Sequence, residues 1–354
     1  MPAQTRKIVE KIPVQTALLA SLGVCILVIV LGCHNGRFKS FSGNTMGTYY
    51  RISVVCSSFP SRSVVEDELR KVDEVMSNYR DDSHVASFNN FPVGKWFDAP
   101  LSLVHVVAVA HQVSEMSTGK FDITVEPLVS AWGFGAKDVE KQPTTATVER
   151  IIGNVDYRKL EYRTEPPGLR KSSPLTIDLS GIAKGYGVDR IADLLDEFEC
   201  GRYLVDIGGE IRVSGLNQAN DAWQIGIEVP DGSGKVHSTI ELSHGAVATT
   251  GDYRNFREFE GQKYAHLLDP TTGLPLDHRL ASVTVFMPTA VEADALATAL
   301  FVLGEEAYEV AVENEIAAVF LTWNESKRDY SLDSTPNMDE LRQTRIGNLR
   351  GQGN

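Results

Sequence analysis

The segment TAVEADALATALFVLG, at residues 289–304, predicts a helix that has no polar side. Thr289 and Glu292 form a capping-box pattern at its start, and Gly304 is a natural C-terminal stop. From residue 293 to residue 303 every side chain is apolar except Asp294 and Thr298. A helix that is apolar all round is buried, so this segment belongs inside the folded domain.

The two polar residues of this helix are four apart, so their oxygens share one face. A buried carboxylate needs a partner. One explanation is structural: Thr298 hydrogen-bonds Asp294, or Asp294 interacts with the dipole at the helix N-terminus. The other is a site for a hard cation, in which carbonyl oxygens complete a shell begun by the carboxylate and the hydroxyl. The helix alone leaves both explanations open.

A second segment, TIDLSGIAKGYGVDRIAD at 176–193, predicts a short strand ending at Asp178, a turn of small residues and a helix from about Tyr186. A helix N-terminus after such a turn binds anionic oxygens, and Lys184 supplies a counter-charge. The segment is neither a Walker A loop nor a GxGxxG fingerprint, and a tight connection that serves only packing is the alternative. Together with Asp294 and Thr298 it favours a phosphate-plus-metal ligand, such as a pyrophosphate neutralised by Mg²⁺.

A third segment, YAHLLDPTTG at 264–273, combines a turn with an imidazole. Asp269-Pro270-Thr271-Thr272-Gly273 is turn chemistry, since proline presets φ and glycine tolerates positive φ. His266 stands just before this turn, at the end of a short apolar run. A lone histidine at a strand end is more often structural than catalytic, so its role needs further support.

The remaining pattern is a mixture of helices and strands, which predicts an α+β fold. An amphipathic helix is predicted at 62–76, a second helix at 102–117 and a polar loop at 78–90. Strands are predicted at 48–55, 175–179, 203–213 with a break at Gly208-Gly209, 223–229, 237–242 and 280–286.

The N-terminus predicts export. Arg6, Lys7 and Lys11 precede an apolar run at 17–32, and the sequence VLGC at 30–33 resembles a lipobox. We therefore expect residues 1–32 to be a lipoprotein signal peptide and Cys33 to carry lipid on the outer, periplasmic side of the membrane. An uncleaved anchor is the alternative, although the run is shorter than the about 20 residues of a spanning helix. Residues 33–44 would then be a tether, 45–330 the folded domain and 331–354 a polar tail.

Charge and cysteine content narrow the function further. Residues 1–32 hold three basic side chains and one acidic, so the remainder carries a net charge of −15, which argues against nucleic acid and against a polybasic membrane patch. Beyond the signal and Cys33, only Cys56 and Cys200 are available to form a disulfide, and no CxxC or Cys/His cluster predicts zinc.

Taken in order, eight motifs resemble the FAD:protein FMN transferase family, the ApbE-like flavinyltransferases. They are MGT at 46–48, MSNYR at 76–80, KFDITVEPLVSAWGFG at 120–135, DLSGIAKGYGVD at 178–189, VDIGGE at 205–210, GAVATTGDY at 245–253, HLLDPTTGLP at 266–275 and EADALATALFVLG at 292–304. The resemblance implies one large domain of two closely packed α/β lobes. It also implies an exported Mg²⁺-dependent enzyme that splits FAD, leaves AMP and joins FMN through a phosphoester to a threonine or serine of a partner. Such partners are typically membrane redox subunits with a [ST]GA[ST]-type segment.

The resemblance assigns roles to individual residues. Residues implied to contact FAD are Met46, Tyr79, Lys120, Phe121, Asp122, Asp178, Lys184 and Leu268. The metal is implied to bind the Gly181 carbonyl and the side chains of Asp294 and Thr298, and His266 is implied to take the proton of the acceptor hydroxyl. Two positions depart from the common pattern: many relatives have an acidic residue in place of Lys184, and some have an aspartate in place of Ala297.

Two other functions stay open from the sequence. Water in place of the acceptor hydroxyl would make the protein an FAD pyrophosphatase that yields FMN and AMP. A flavin-binding lipoprotein without activity is the third possibility, although the presence of His266, Asp294 and Thr298 counts against it.

Overall fold

A computed structural model describes residues 36–135, 139–252, 256–259 and 261–338. The predicted signal peptide, Cys33 and residues 339–354 lie outside the described residues, so what the sequence predicts for them stays a prediction. Among the residues that are described, no helix has the length and apolar character needed to cross a membrane.

The main sheet is antiparallel throughout and, within the described chain, contains eight strands. From one edge to the other they are β1 (Arg37–Thr45), β2 (Thr48–Cys56), β6 (Tyr203–Ile207), β7 (Glu210–Ser214), β10 (His244–Gly251), β15 (Leu280–Met287), β16 (Ala317–Asn324) and β17 (Asp329–Ser334). The predicted break at Gly208-Gly209 is confirmed as the turn between β6 and β7.

Short strands form smaller sheets beside the main one. They are β3 (Phe97–Asp98), β4 (Leu160–Thr164), β5 (Pro167–Lys171), β8 (Trp223–Glu228), β9 (Val236–Leu242), β11 (Phe256–Phe259), β12 (Gln262–Ala265), β13 (Leu268–Asp269) and β14 (Leu274–Pro275). β3, β5 and β4 make one sheet, while β8–β9, β11–β12 and β13–β14 are separate hairpins.

The helices are α1 (Arg62–Met76), α2 (His84–Asn89), α3 (Leu101–Met116), α4 (Glu126–Ala131), α5 (Thr145–Ile152), α6 (Ala183–Glu197), α7 (Ala290–Leu303) and α8 (Ala307–Glu313). Short 3₁₀ turns occur at Ile123–Val125, Tyr157–Lys159 and Gly304–Glu306. The α+β class predicted from the sequence is confirmed.

Buried apolar side chains of the described chain form three clusters. The largest lies between one face of the main sheet and helices α1, α3, α6 and α7, as the alternation in β10 requires: Ala246 and Ala248 point into it. Val247, between them, points to the opposite face, which the β8–β9 hairpin covers. A small third cluster holds Leu128, Trp132, Val148, Phe259 and Leu268.

Helices α6 and α7 cap one another at their N-termini. The Asp189 carboxylate of α6 accepts the N–H groups of Ala290 and Val291, at 3.0 and 2.9 Å. In return, Asp294 of α7 accepts the N–H of Gly185 at 2.9 Å. These N–H groups have no acceptor inside their own helices, so each helix supplies a carboxylate that accepts the N-terminal N–H groups of the other.

The capping box predicted at the start of α7 is wrong in its detail. Thr289 is the N-cap residue, but its hydroxyl donates to the Glu292 carboxylate at 2.5 Å and makes no bond to a backbone N–H. The Asp189 carboxylate, brought in from α6, takes over the capping role. A contact between residues 101 positions apart cannot be predicted from the local pattern.

Gly185 lies where α6 and α7 approach most closely. A Cβ atom at this position would lie 2.2 Å from the Ala290 carbonyl oxygen and 2.8 Å from the Asp294 Cβ. We expect Gly185→Ala to lower the free energy of unfolding by about 1–3 kcal/mol through overpacking, although alanine favours helices. Gly153→Ala is the matched control, because a Cβ there meets nothing within 4 Å and φ is −62°. Equal unfolding midpoints for the two variants in denaturant would contradict the close packing.

The folded domain extends beyond both predicted boundaries. Residues 37–44, predicted as tether, belong to β1, which pairs with β2 along its whole length. Residues 331–334, predicted as tail, belong to β17, and Met338 is buried in the second cluster. Both predictions failed because an edge strand is stabilised by its neighbour, and β1 and β17 carry too few apolar residues to be recognised alone.

Three local predictions also need correction. The predicted strand 175–179 is not part of any sheet: the Asn89 side chain bonds both the N–H and the carbonyl of Ile177, at 2.8 and 3.0 Å. The polar loop predicted at 78–90 contains α2, which supplies this asparagine. Helix α6 begins at Ala183 rather than near Tyr186.

Cys56 and Cys200 form a disulfide whose Cα atoms are 5.2 Å apart. The bond joins the end of β2 to the segment between α6 and β6, and so connects residues 144 positions apart in sequence. The sequence left this pairing open.

Candidate functional site

Asp294 of α7 is buried and Thr298 is half-buried, and the two side chains do not pair with each other. Asp294 is 2% exposed and accepts the Gly185 N–H at the N-terminus of α6. The Thr298 hydroxyl lies 3.3 Å from the hydroxyl of Thr250 on β10. The carboxylate therefore faces the positive end of a neighbouring helix dipole, and the structural explanation by an Asp294–Thr298 hydrogen bond is not what the structure shows.

Gly181 lies directly against Thr298. A Cβ atom on Gly181 would be 3.4 Å from the Thr298 hydroxyl oxygen and 3.3 Å from a ring carbon of Phe121. A side chain at this position would require Phe121 or Thr298 to shift by a few tenths of an ångström, so glycine favours this close approach of the backbone. The structure thus brings Gly181 and Thr298 together, one turn along α7 from Asp294.

This set of ligands fits a hard cation. Carboxylate, hydroxyl and carbonyl oxygens are the ligands that Mg²⁺ and Ca²⁺ prefer. No group of three or more His, Cys, Asp or Glu side chains within the described residues is placed to hold a metal, so the ligands here would come from one carboxylate and neutral oxygens. Ala297 is buried and offers no side-chain oxygen.

Lys184, in the first turn of α6, lies between two carboxylates. Its Nζ is 3.1 Å from Oε1 of Glu210 and 3.6 Å from Oδ1 of Asp294. Burial alone would lower the pKa of Lys184, but the charges of Asp294 and Glu210 raise it above its ordinary value. The ammonium group is therefore charged at any physiological pH.

Glu210 is a site residue that sequence reasoning missed. It follows the Gly208-Gly209 turn, whose φ angles of 65° and 109° are in the left-handed region, and this turn directs its side chain to Lys184. Burial raises the pKa of Glu210 to about 7, while Lys184 acts in the opposite direction. The available signal was an acidic residue directly after two glycines, in VDIGGEIRV at 205–213.

Tyr79 lies near Asp178, which precedes Gly181 by three residues. Tyr79 is 67% exposed. The partial burial of its side chain, together with the charge of Asp178, raises the pKa of the Tyr79 hydroxyl. Asp178 is buried and accepts the Ser180 N–H at 2.7 Å, and its burial raises its pKa. An exposed aromatic ring beside a buried carboxyl group suits a flat polar ring system such as a flavin.

Met46 lies at the tip of the β1–β2 hairpin, in a two-residue turn with φ angles of 47° for Met46 and 72° for Gly47. Its sulfur would be 3.2 Å from a Cβ atom on Gly187, so the side chain packs on α6. The hairpin thereby places Met46 against the same helix that carries Lys184.

Lys120, Phe121 and Asp122 have three different tasks. The Lys120 ammonium donates to Asp269 at 2.7 Å and to the hydroxyl of Thr271 at 3.0 Å, which fixes the turn after His266. Phe121 is buried against Gly181. The Asp122 carboxylate accepts the backbone N–H groups of Thr124 and Tyr157, at 2.7 and 2.8 Å, so the structure gives it a structural task rather than a free face for a ligand.

His266 lies between β12 and β13, with its ring 6.4 Å from the ring of Phe134 and nearly perpendicular to it. Leu268, two residues later, is 5% exposed and packs in the third cluster with Leu128 and Trp132. Leu268 therefore anchors the segment in the core, while the partly exposed imidazole stays near the surface.

The turn after His266 is fixed from both sides. The Trp132 indole N–H donates to the Gly273 carbonyl at 2.9 Å. Gly273 has a φ of 73°, and a Cβ atom there would lie 2.6 Å from Val148. These contacts, with those of Lys120, hold the segment that carries His266 in one conformation.

Comparison with known proteins agrees with this arrangement. The model of the ApbE family matches residues 46–320, which include every predicted site residue of the folded domain. The chain belongs to the ApbE family.

Relatives of this ApbE-family chain carry a consistent name. The FAD:protein FMN transferase of Haemophilus influenzae is 40% identical over 297 residues, 80% of this chain and 86% of that protein. The solved structure of the flavin transferase ApbE from Vibrio cholerae has a TM-score of 0.78 and 33% identity, and covers 86% of this chain and 99% of its own. The apo flavinyl transferase ApbE of Pseudomonas stutzeri has a TM-score of 0.79 and 36% identity, with coverage of 87% and 97%.

Proposed function

We propose that this flavin transferase splits FAD at its pyrophosphate, releases AMP and attaches FMN through a phosphoester to a threonine or serine hydroxyl of an acceptor protein. The observation that carries the proposal is the placing of Asp294, Thr298 and Gly181 beside the N-terminus of α6. Oxygen ligands for a cation thus lie at the positive end of the α6 dipole and next to the Lys184 ammonium group, which is suited to phosphate oxygens.

His266 would act on the acceptor. The acceptor oxygen attacks the phosphorus of the FMN half, its proton passes to the neutral imidazole, and the bond from that phosphorus to the bridging oxygen breaks. AMP leaves with the bridging oxygen, so atoms and charge balance without a redox partner. The fixed turn at 269–273 supports this role because a general base must keep its position.

A divalent cation, Mg²⁺ in our proposal, would be held by the side chains of Asp294 and Thr298 and by the carbonyl of Gly181. When bound it would neutralise charge on the pyrophosphate. The chain itself contributes Lys184, which lies beside Asp294 and can bind the phosphate oxygens, and the positive end of the α6 dipole, which favours their negative charge. Tyr79 and Asp178 would hold the flavin ring.

We further propose that the domain works outside the cytoplasm, lipid-anchored to the membrane through Cys33, on a membrane redox subunit with a [ST]GA[ST]-type segment. The Cys56–Cys200 disulfide supports this location, since disulfides persist in oxidising compartments such as the periplasm.

The location gives a direct prediction. Cys33→Ala should leave the precursor unprocessed or release the protein from the membrane fraction, because one thiol carries the lipid. Cell fractionation with an intact-mass measurement of the N-terminus tests it, and Cys25→Ala is the matched control inside the signal. Membrane association of Cys33→Ala with an unchanged N-terminus, equal to the parent, would support an uncleaved anchor instead.

The transferase and pyrophosphatase alternatives differ in how AMP release depends on the acceptor. We expect AMP to appear rapidly only when an acceptor domain with the [ST]GA[ST]-type segment is added to FAD and Mg²⁺. An acceptor with alanine in place of the modified hydroxyl is the control. Equal AMP release without any acceptor would favour the pyrophosphatase.

A further inference from the structure

Three charged groups, Glu210, Lys184 and Asp294, form a chain within the site. The ammonium of Lys184 is 3.1 Å from Glu210 and 3.6 Å from Asp294, and the two acidic side chains are 5% and 3% exposed. Asp294 is fixed by its bond to the Gly185 N–H. The ammonium therefore stands beside the carboxylate that would bind the cation.

Only one oxygen of the Glu210 carboxylate has a hydrogen-bond partner among the described residues. Oε1 bonds Lys184, but Oε2 is buried and has no hydrogen-bond partner among the described residues. A buried oxygen without a hydrogen-bond partner destabilises the folded protein by about 1–3 kcal/mol, so the Glu210–Lys184 ion pair adds little stability. The charge of Glu210 is therefore expected to have a function other than stabilising the fold.

The charges indicate that role. Lys184 next to Asp294 opposes any second cation, because like charges repel at this distance. The net charge of Glu210, Lys184 and Asp294 together is −1. Without Glu210 the net charge is zero, and Asp294 is then the only carboxylate that pairs with the ammonium group. We propose that Glu210 is a positioning residue that holds Lys184 and offsets its charge, so that Asp294 stays available to a divalent cation. This inference rests on the metal site of the proposed function.

The test measures Mn²⁺ binding to the full-length protein by electron paramagnetic resonance, without FAD or acceptor. Titrations at pH 8 keep Glu210 ionised, since its pKa is about 7. Glu210→Gln has nearly the same shape and should weaken Mn²⁺ binding about 10- to 100-fold. Lys184→Met should tighten it, because the competing cation is removed.

The double variant is decisive. Glu210→Gln with Lys184→Met again leaves one negative charge, so its Mn²⁺ affinity should return to within a few-fold of the parent. Replacing both members of a buried pair is also tolerated better than replacing one, which guards against a loss of folding. Glu161→Gln is the control, since it removes a carboxylate from the Arg170 pair on another sheet and should change nothing.

The failures of the two claims are separable. If the parent binds Mn²⁺ and Asp294→Asn abolishes the binding, the metal site stands and the Glu210 variants decide the inference. A folded double variant that binds as weakly as Glu210→Gln, or a Glu210→Gln variant that binds as the parent does, overturns it. A parent that binds no Mn²⁺, or a folded Asp294→Asn that binds as the parent does, overturns the metal site itself and this inference with it.

Discussion

Asp294→Asn is expected to abolish flavin transfer while the protein stays folded. The amide oxygen can still accept the Gly185 N–H, but the negative charge that would bind the cation is gone. Loss of a cation that neutralises a pyrophosphate removes several kcal/mol of transition-state stabilisation, which is a fall of about 10³-fold or more in rate. The measurement is the initial rate of flavin transfer against Mg²⁺ concentration.

Asp294→Ala is the matched comparison. It removes the same charge and also the acceptor for the Gly185 N–H. The transfer rate should therefore fall as far as in Asp294→Asn, and the free energy of unfolding should be lower than that of Asp294→Asn by about 1–3 kcal/mol. EDTA should abolish flavin transfer by the parent protein, and added Mg²⁺ should restore the activity. Normal turnover of Asp294→Asn at limiting Mg²⁺ would mean that Asp294 does not hold the metal.

His266→Ala is expected to lower the transfer rate by about 10²- to 10⁴-fold, the usual cost of losing a positioned general base. FAD affinity should stay nearly unchanged, because the imidazole acts on the acceptor rather than on bound FAD. Calorimetric FAD binding beside the rate of flavin transfer separates the two effects. His237→Ala is the control, since His237 is exposed on β9, outside the site.

The pH dependence gives a second reading of the same residue. Only the neutral form of the imidazole accepts a proton. The parent rate should therefore fall on the acid side as the imidazole becomes protonated, and this limb should vanish in His266→Ala. A variant that loses FAD binding, or one that transfers flavin at the parental rate, would exclude the general-base role.

The parts of the fold that local patterns specify were predictable. The apolar composition of 289–304 and its end at Gly304 predict helix α7, the periodicity of 62–76 predicts α1, and the two glycines predict the break at 208–209. Elements that depend on a distant partner were not. β1 needs β2, and the segment 175–179 takes its backbone bonds from the Asn89 side chain instead of a strand.

In the site, too, the residues that stand out in the local sequence were predictable, and those that depend on distant contacts were not. Asp294 and Thr298 were recognisable because a polar residue inside an apolar helix stands out, whereas their partners Gly185 and Thr250 come from distant segments. Glu210 was missed because only the hairpin geometry brings it to Lys184. The capping bonds of Asp122 are likewise visible only in three dimensions.

The mass of the acceptor tests the central claim most directly. The full-length protein is incubated with FAD, Mg²⁺ and an acceptor domain that carries the [ST]GA[ST]-type segment, and the acceptor is then denatured and weighed. We predict a gain of one FMN less one water at a single threonine or serine, with one AMP released per modified acceptor. An acceptor of unchanged mass, while FAD is consumed to free FMN and AMP, would contradict the transferase account.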